Sequence, residues 1–124
     1  MKKVVLCLFI LTSIISLSNS REDMIEKQLM EKYPSLTDGT NTIKVHEYDV
    51  EIKGDKTEVK IEIKGDSNKE VFEKFDQEKL GALFTEITEY AQTEITKPQP
   101  IELEVELDRD FAPDEYLYKN TFLD

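Results

Sequence analysis

Two stretches of strict alternation between apolar and charged residues constrain the fold of this chain most. Residues 101–108, IELEVELD, carry an apolar side chain at every second position and an acid at the others, and residues 58–64, EVKIEIK, repeat the pattern with lysines among the acids. Because successive side chains of a β-strand point to opposite faces of a sheet, each stretch predicts a strand with one buried and one solvent-exposed face. The buried faces need a second layer to cover them.

A further predicted strand, residues 43–52, precedes these two and is joined to residues 58–64 by a hairpin turn at Gly54-Asp55-Lys56. Its apolar side chains fall into two opposite phases, Ile43 and Val45 in one and Tyr48, Val50 and Ile52 in the other. Either a β-bulge near His46 and Glu47 resets the register, or the strand is covered on both faces. The string EIKGD ends both strands of the hairpin, and each copy supplies a glycine free to take positive φ.

The segment before the strands predicts an amphipathic helix. Residues 21–33 place their apolar side chains three to five positions apart, with acids on the other side. Pro34 ends this helix, and the following SLTDGTN has the composition of a loop, with its turn at Asp38-Gly39.

A second helical segment runs from Asn68 to Ile95. Ser67 and Glu70 match a capping box at its start. One continuous helix of this length would extend well beyond the predicted strands. We therefore expect a break near Phe75-Asp76, with Asp76 as the N-cap of a second helix.

The element order α-β-β-α-β predicts an α+β fold, a two-layer sandwich with helices on one face of a small, mainly antiparallel three-stranded sheet. A right-handed crossover through the long helical segment would place residues 101–108 beside the first strand. Residues 21–108 are expected to form a single domain. Residues 109–124, an aromatic and acidic C-terminal tail, either fold back on this domain or form a flexible arm.

The N-terminus predicts a cleaved signal peptide, residues 1–20. Two lysines precede an apolar run, and small polar residues follow it up to a cleavage point after Ser20. Cys7 lies early in the apolar run and belongs to it, which disfavours a lipid-modified cysteine. The alternatives are an uncleaved anchor or a cytosolic protein, but the run is short for a stable membrane span. We expect a secreted, periplasmic or cell-envelope protein without a stable membrane span after cleavage.

The charge and composition exclude several classes of function. The chain has 16 basic and 27 acidic residues, and removal of the two lysines in the signal gives the mature chain a net charge of -13 and no cysteine. Nucleic acid is therefore disfavoured as a partner, whereas a basic protein is compatible. Ser35, Ser67 and His46 offer little for nucleophilic catalysis, and His46 is interpreted as a strand residue rather than a catalytic or metal-binding one.

Two groups of residues are candidates for binding. The outward acids Glu102, Glu104 and Glu106 either face lysines of a neighbouring strand or form an acidic surface for a basic partner. The aromatic side chains of the tail are the second group, namely Tyr116, Tyr118 and Phe122.

Calcium is the metal that the sequence suggests. Four acids lie within eight residues from the end of the last predicted strand onward, namely Asp108, Asp110, Asp114 and Glu115. Closely spaced oxygen ligands suit Ca²⁺, although this stretch lacks the ligand order and the glycine of an EF-hand loop. No other cofactor is expected.

The order of elements also resembles a known family. The run V-E-I-K-G…V-K-I-E-I-K-G-D-S-N-K-E at residues 50–70, with a helix before it and a helix and strand after it, is similar to the layout of BON domains. The resemblance implies an exported, envelope-associated module that acts at phospholipid. The hairpin is longer than in that family, and Lys97-Pro98 replaces the Gly-Val pair before the last strand. No functional residue is carried over.

The sequence thus favours a small exported acidic protein that is a non-catalytic binding module. A BON-like envelope module and, less favoured, a carboxylate-based hydrolase are the alternatives.

Overall fold

The computed structural model of the chain describes residues 20–122. The predicted signal peptide lies outside the described residues except for Ser20, and it stays a prediction. No helix within residues 20–122 has both the length and the apolar character needed to cross a membrane.

The described chain contains three helices and six strands. The helices are α1, residues 20–32, α2, Asn68–Glu73, and α3, Gln77–Glu94. The strands are β1 (Ser35–Thr37), β2 (Thr42–Lys44), β3 (Glu47–Ile52), β4 (Thr57–Lys64), β5 (Ile101–Asp108) and β6 (Glu115–Phe122).

The fold is α+β, but the predicted three-stranded sheet is wrong. β1 and β2 form a separate two-stranded sheet, and the main sheet has four strands in the order β3-β4-β5-β6. The β3–β4 and β5–β6 pairs are antiparallel, whereas β4 and β5 are parallel. The chain crosses over through α2 and α3 and returns beside β4, not beside the first strand of the hairpin as expected. The tail, for which the sequence left two possibilities, supplies β6 and covers the other edge of β5.

A single hydrophobic core lies between the helices and the sheet. It combines Ile25 and Leu29 of α1 with Phe84 and Ile87 of α3, all fully buried, and with the inward side chains of the strands. In β4 and β5 these inward residues are the apolar ones of each alternating pattern, namely Val59, Ile61, Ile63, Ile101, Leu103, Val105 and Leu107. The charged residues between them lie on the opposite face, which we call the outer face.

The change of phase near His46 is a change of sheet. β2 ends at Lys44 and pairs with β1, whereas β3 begins at Glu47 and pairs with β4. Val45 before the break and Tyr48 after it are both buried. The apolar side chains on both sides of the break therefore face the same core, although their positions in the sequence alternate differently. The predicted irregularity near His46 and Glu47 is thus at the right position, but it is a change from one sheet to the other and not a β-bulge.

The segment predicted as a loop after Pro34 is the β1–β2 hairpin. Asp38 organises its turn, because Oδ1 accepts hydrogen bonds from the backbone N–H groups of Thr40 at 2.9 Å and Asn41 at 2.6 Å. Gly39 has a φ of 93°, a conformation that favours glycine. Both strands are three residues long, too short for an alternating pattern to be visible in the sequence.

The predicted helix break is confirmed. α2 ends at Glu73 and α3 begins at Gln77, and Oδ1 of Asp76 accepts hydrogen bonds from the N–H groups of Glu78 and Lys79. The capping box at Ser67 is wrong, because the Ser67 side chain forms no capping hydrogen bond.

Candidate functional site

The outer face presents the acids of β5 between two sets of lysines. Glu102 forms ion pairs with Lys56 at 3.1 Å and with Lys119 at 3.5 Å, and Lys119 also reaches Glu104 at 3.4 Å. Glu106 and Asp108 are paired with residues of β4 in the same way, Glu106 with Lys60 at 3.3 Å and Asp108 with Lys64 at 3.9 Å. The acidic row that the sequence singled out is thus neutralised within the sheet.

These ion pairs shift the pKa values of their members in the expected directions. The hydrogen bond from Lys56 is the main reason why the pKa of Glu102 is lowered. The charge of Glu102 in turn raises the pKa of Lys119, with Glu104 adding to the effect. Each partner holds the other in its charged form, so this row offers little unpaired charge to another molecule.

The three aromatic candidates lie on different sides of β6. Tyr116 lies opposite Glu106 and is 58 % exposed. A register shift between Val105 and Glu106 follows, and beyond it the Tyr118 ring packs against Phe84 with 4.6 Å between ring centroids. Phe122 is also packed against the core. Of the three, Tyr116 is exposed, whereas Tyr118 and Phe122 are half-buried, and Phe122 also lines a groove beside α3.

The four calcium candidates are spread along the end of β5, the following loop and the start of β6. Asp108 is paired with Lys64, and Glu115 is paired with Lys69 at 3.0 Å. Asp110 and Asp114 are exposed in the loop. In the part of the chain that the structure describes, no three of the four bring ligand atoms within 4.8 Å of one another. The calcium site stays a prediction without a preformed geometry.

An acidic groove that the sequence did not single out lies between α1 and the free edge of β3. It has a volume of about 620 Å³. Its walls carry five acids, together with Val50 and Ile52, and the acids are Glu22, Asp23, Glu26, Asp49 and Glu51. None of its lining residues is a lysine or arginine, and none of these five acids forms an ion pair with another described residue.

Two of these acids are held in place by the backbone of β3. Oε2 of Glu26 accepts a hydrogen bond from the N–H of Val50, and Oε2 of Glu22 accepts one from the N–H of Ile52, both at 2.7 Å. Four residues of a helix rise about 6 Å, and two residues of a strand span about 6.6 Å, so the two spacings match. Two outward N–H groups of β3 are thereby occupied, which hinders pairing of this edge with another strand.

The crowding of acids changes the behaviour of Glu26. Burial raises the pKa of Glu26, the hydrogen bond from Val50 opposes this, and the charges of Asp49 and Asp23 add to the increase. The remaining three acids of the groove are exposed at its rim, namely Asp23, Asp49 and Glu51. A cation placed in the groove would relieve their mutual repulsion.

The signal for this groove was present in the sequence in two separate places. Acids cover one side of residues 21–33, and acids alternate with Tyr48 and Val50 in β3. Only the packing of α1 along the edge of β3 brings the two sets together.

His46 lies between β2 and β3 and is exposed. It borders a depression of about 350 Å³ that Lys44, Lys64 and Asn68 also line. Ligand atoms of Glu47, which is exposed, and of Glu62, which is half-buried, lie within 4.8 Å of its ring nitrogen.

Comparison with known proteins assigns no family. No protein-family model matches the chain, and no curated protein or solved structure shows significant similarity to it. The likeness to BON domains therefore stays a resemblance in the order of elements.

Proposed function

We propose that this protein is an exported, non-catalytic binding module that engages a basic protein partner through the acidic groove between α1 and β3. The observation that carries the proposal is a groove lined by five acids and by no lysine or arginine. An unpaired cluster of like charges on a folded surface is costly unless something of opposite charge offsets it.

The contrast with the outer face supports the choice of the groove. The acids of β5 are paired with lysines of β4, of β6 and of the turn before β4. No lysine or arginine lines the groove. Lys60 lies opposite Asp49 in β4, but its ion pair is with Glu106, and its interaction with Asp49 is at longer range. A basic side chain from another protein would supply an ion-pair partner for these acids.

The geometry is suited to recognition because part of it is fixed in advance. Glu22 and Glu26 are oriented by the N–H groups of β3, so two of the five acids lose little conformational freedom on binding. The three exposed acids at the rim supply long-range attraction. The net charge of -13 expected for the mature chain would further accelerate encounter with a cationic partner.

A direct test uses a defined cationic probe. The protein is titrated with a decalysine peptide and with a neutral peptide of the same length, and affinity is measured at low and at physiological salt. The triple variant Asp23→Asn, Asp49→Asn, Glu51→Gln removes three charges from the groove while Glu22 and Glu26 keep their hydrogen bonds. We expect this variant to bind decalysine much more weakly, with a smaller dependence on salt.

A matched control separates the groove from net charge. Glu73→Gln, Glu89→Gln, Asp110→Asn removes three exposed acids elsewhere and changes the net charge by the same amount. If the two triple variants lose affinity equally, binding follows net charge alone and the groove has no role. Binding of the parent protein to phospholipid vesicles, with none to decalysine, would instead favour the envelope-associated alternative.

Export is the second part of the proposal, and the order of charged, apolar and small residues at the N-terminus supports it. N-terminal sequencing of the protein recovered from the medium or the envelope fraction should begin at Arg21. Recovery of an intact N-terminus from the cytosol would contradict this part alone.

A further inference from the structure

The β3–β4 pair contains two positions at which glutamates lie directly opposite each other. Only one of these two glutamate pairs has lysines close enough to form ion pairs with it. Glu51 lies opposite Glu58, and Glu47 lies opposite Glu62. Like charges at directly opposed positions destabilise an antiparallel pair. Glu58 is relieved by Lys53 at 3.2 Å and by Lys56 at 3.4 Å. Within residues 20–122, no ion pair involves Glu47 or Glu62.

The one imidazole of the chain lies at this unrelieved pair. His46 is the only histidine, and its backbone N–H donates to the carbonyl of Glu62 at 2.8 Å, which anchors it at the start of β3. One ring nitrogen of His46 and one carboxylate oxygen each from Glu47 and Glu62 lie within 4.8 Å of one another. In the described part of the chain, this is the one group of three or more such side chains that converges in this way.

We propose that His46, Glu47 and Glu62 bind a divalent first-row metal ion, with Zn²⁺ as the probe of choice. Imidazole nitrogen and carboxylate oxygen are both ordinary ligands of this ion, at about 2.0–2.2 Å. Ligand atoms around such an ion lie roughly 3–4 Å apart. His46 and Glu47 are exposed, so rotation of their side chains toward the half-buried Glu62 would bring the three ligand atoms to that spacing.

The electrostatics around Glu62 favour a cation. Glu62 is half-buried, Glu47 lies directly opposite it, and the charge of Asp108 also acts on it. A bound divalent ion would offset the repulsion that these carboxylates now exert on one another. Three protein ligands leave at least one coordination position for water or for a ligand from another molecule. The site lies outside the acidic groove, and the proposal does not depend on the proposed function.

The test is a Zn²⁺ titration of the tag-free full chain carrying Cys7→Ser, so that no other histidine or thiol competes. Calorimetry should give one site per chain, and the single imidazole signal in the NMR spectrum should shift in parallel. Mutation of a residue that only hydrogen-bonds a metal ligand typically lowers metal affinity by roughly 10- to 100-fold. His46→Ala and Glu62→Gln remove direct ligands, so each should weaken Zn²⁺ binding by at least about tenfold.

The second glutamate pair provides the matched control. Glu58→Gln removes the same charge from the same strand, opposite Glu51 instead of Glu47, and should leave Zn²⁺ affinity close to that of the parent. Glu47→Gln is a further ligand variant at an exposed position, in case Glu62→Gln fails to fold. An imidazole signal that Zn²⁺ does not move, ligand variants that bind like the parent, or an equal loss in Glu58→Gln would each overturn the proposal.

Discussion

Oδ2 of Asp38 accepts a hydrogen bond from the backbone N–H of Asp76 at 2.8 Å, which ties the β1–β2 hairpin to the start of α3. The same carboxylate also holds the hairpin turn through Thr40 and Asn41. One side chain therefore joins two elements that are 38 positions apart in the chain.

Asp38→Asn should lower the melting temperature at neutral pH by several degrees. The backbone N–H groups of Asn41, Asp76 and Thr40 hold the pKa of Asp38 well below its usual range. Because the folded-state pKa is lowered, the stabilisation is present above about pH 4 and is lost as the pH falls further. Thermal melts from pH 7 to pH 2.5 should show the gap between parent and variant narrowing at low pH. Asp55→Asn, at an exposed turn, is the control, and an equal loss there would contradict this role for Asp38.

The two copies of EIKGD predict opposite outcomes for the same substitution. Gly65 has a φ of 98°, a conformation that favours glycine, whereas Gly54 does not have a positive φ. Gly65→Ala should therefore destabilise the protein by roughly 1–2 kcal/mol. A Cβ atom added at Gly54 would have no other atom within 4 Å, so Gly54→Ala should leave the free energy of unfolding unchanged or raise it slightly. Urea unfolding of both variants provides the measurement, and equal effects would show that backbone conformation is not the cause.

Two substitutions of Glu26 should separate its hydrogen bond from its charge. Glu26→Ala removes the acceptor for Val50 and should cost about 1 kcal/mol. Glu26→Gln keeps a carbonyl oxygen for that N–H. Since burial raises the pKa of Glu26, the charged form is disfavoured in the folded state, and the glutamine variant should be at least as stable as the parent above about pH 5.

Removal of both edge acceptors should also change association. The double variant Glu22→Ala, Glu26→Ala frees the N–H groups of Ile52 and Val50, and we expect concentration-dependent self-association in analytical ultracentrifugation. A double variant that stays monomeric at high concentration would show that the two acids do not protect the edge.

Tyr118 tests whether the tail contributes to stability. Its ring packs on Phe84, so Tyr118→Ala should destabilise the protein by roughly 1–3 kcal/mol. Tyr118→Phe keeps the ring and should change stability by less than about 0.5 kcal/mol. If residues 115–122 were a flexible arm in solution, both variants would unfold at the same denaturant concentration as the parent.

The elements with strong local chemistry were predictable from sequence. Alternation identified β4 and β5, because a strand with one wet face imposes a period of two. Asp76 was identified as a helix N-cap because its side chain can satisfy N–H groups at the start of α3. The outward direction of Glu102, Glu104 and Glu106 followed from the same alternation.

The elements that depend on distant partners were not predictable. β1 and β2 are too short to show a pattern, and the bulge in β6 disrupts its period. The prediction of a capping box at Ser67 was wrong. The chain turns into α2 at Gly65, which has a positive φ, and the side-chain amide of Asn68 donates to the Lys64 carbonyl at 2.6 Å. A short sequence motif predicts which hydrogen bonds a side chain is able to form. The conformation of the surrounding backbone determines which of them forms.

By itself the sequence determined the α+β class, the main alternating strands, the break before α3 and the acidic character of the chain. These follow from local periodicity, capping and charge, which neighbouring residues fix. Only the tertiary structure decided the parallel pairing of β4 with β5, the lysines that neutralise the β5 acids, the acidic groove and the meeting of His46 with Glu62. Each of these joins segments that are distant in sequence, and their pairing depends on the burial of one shared core rather than on any local preference.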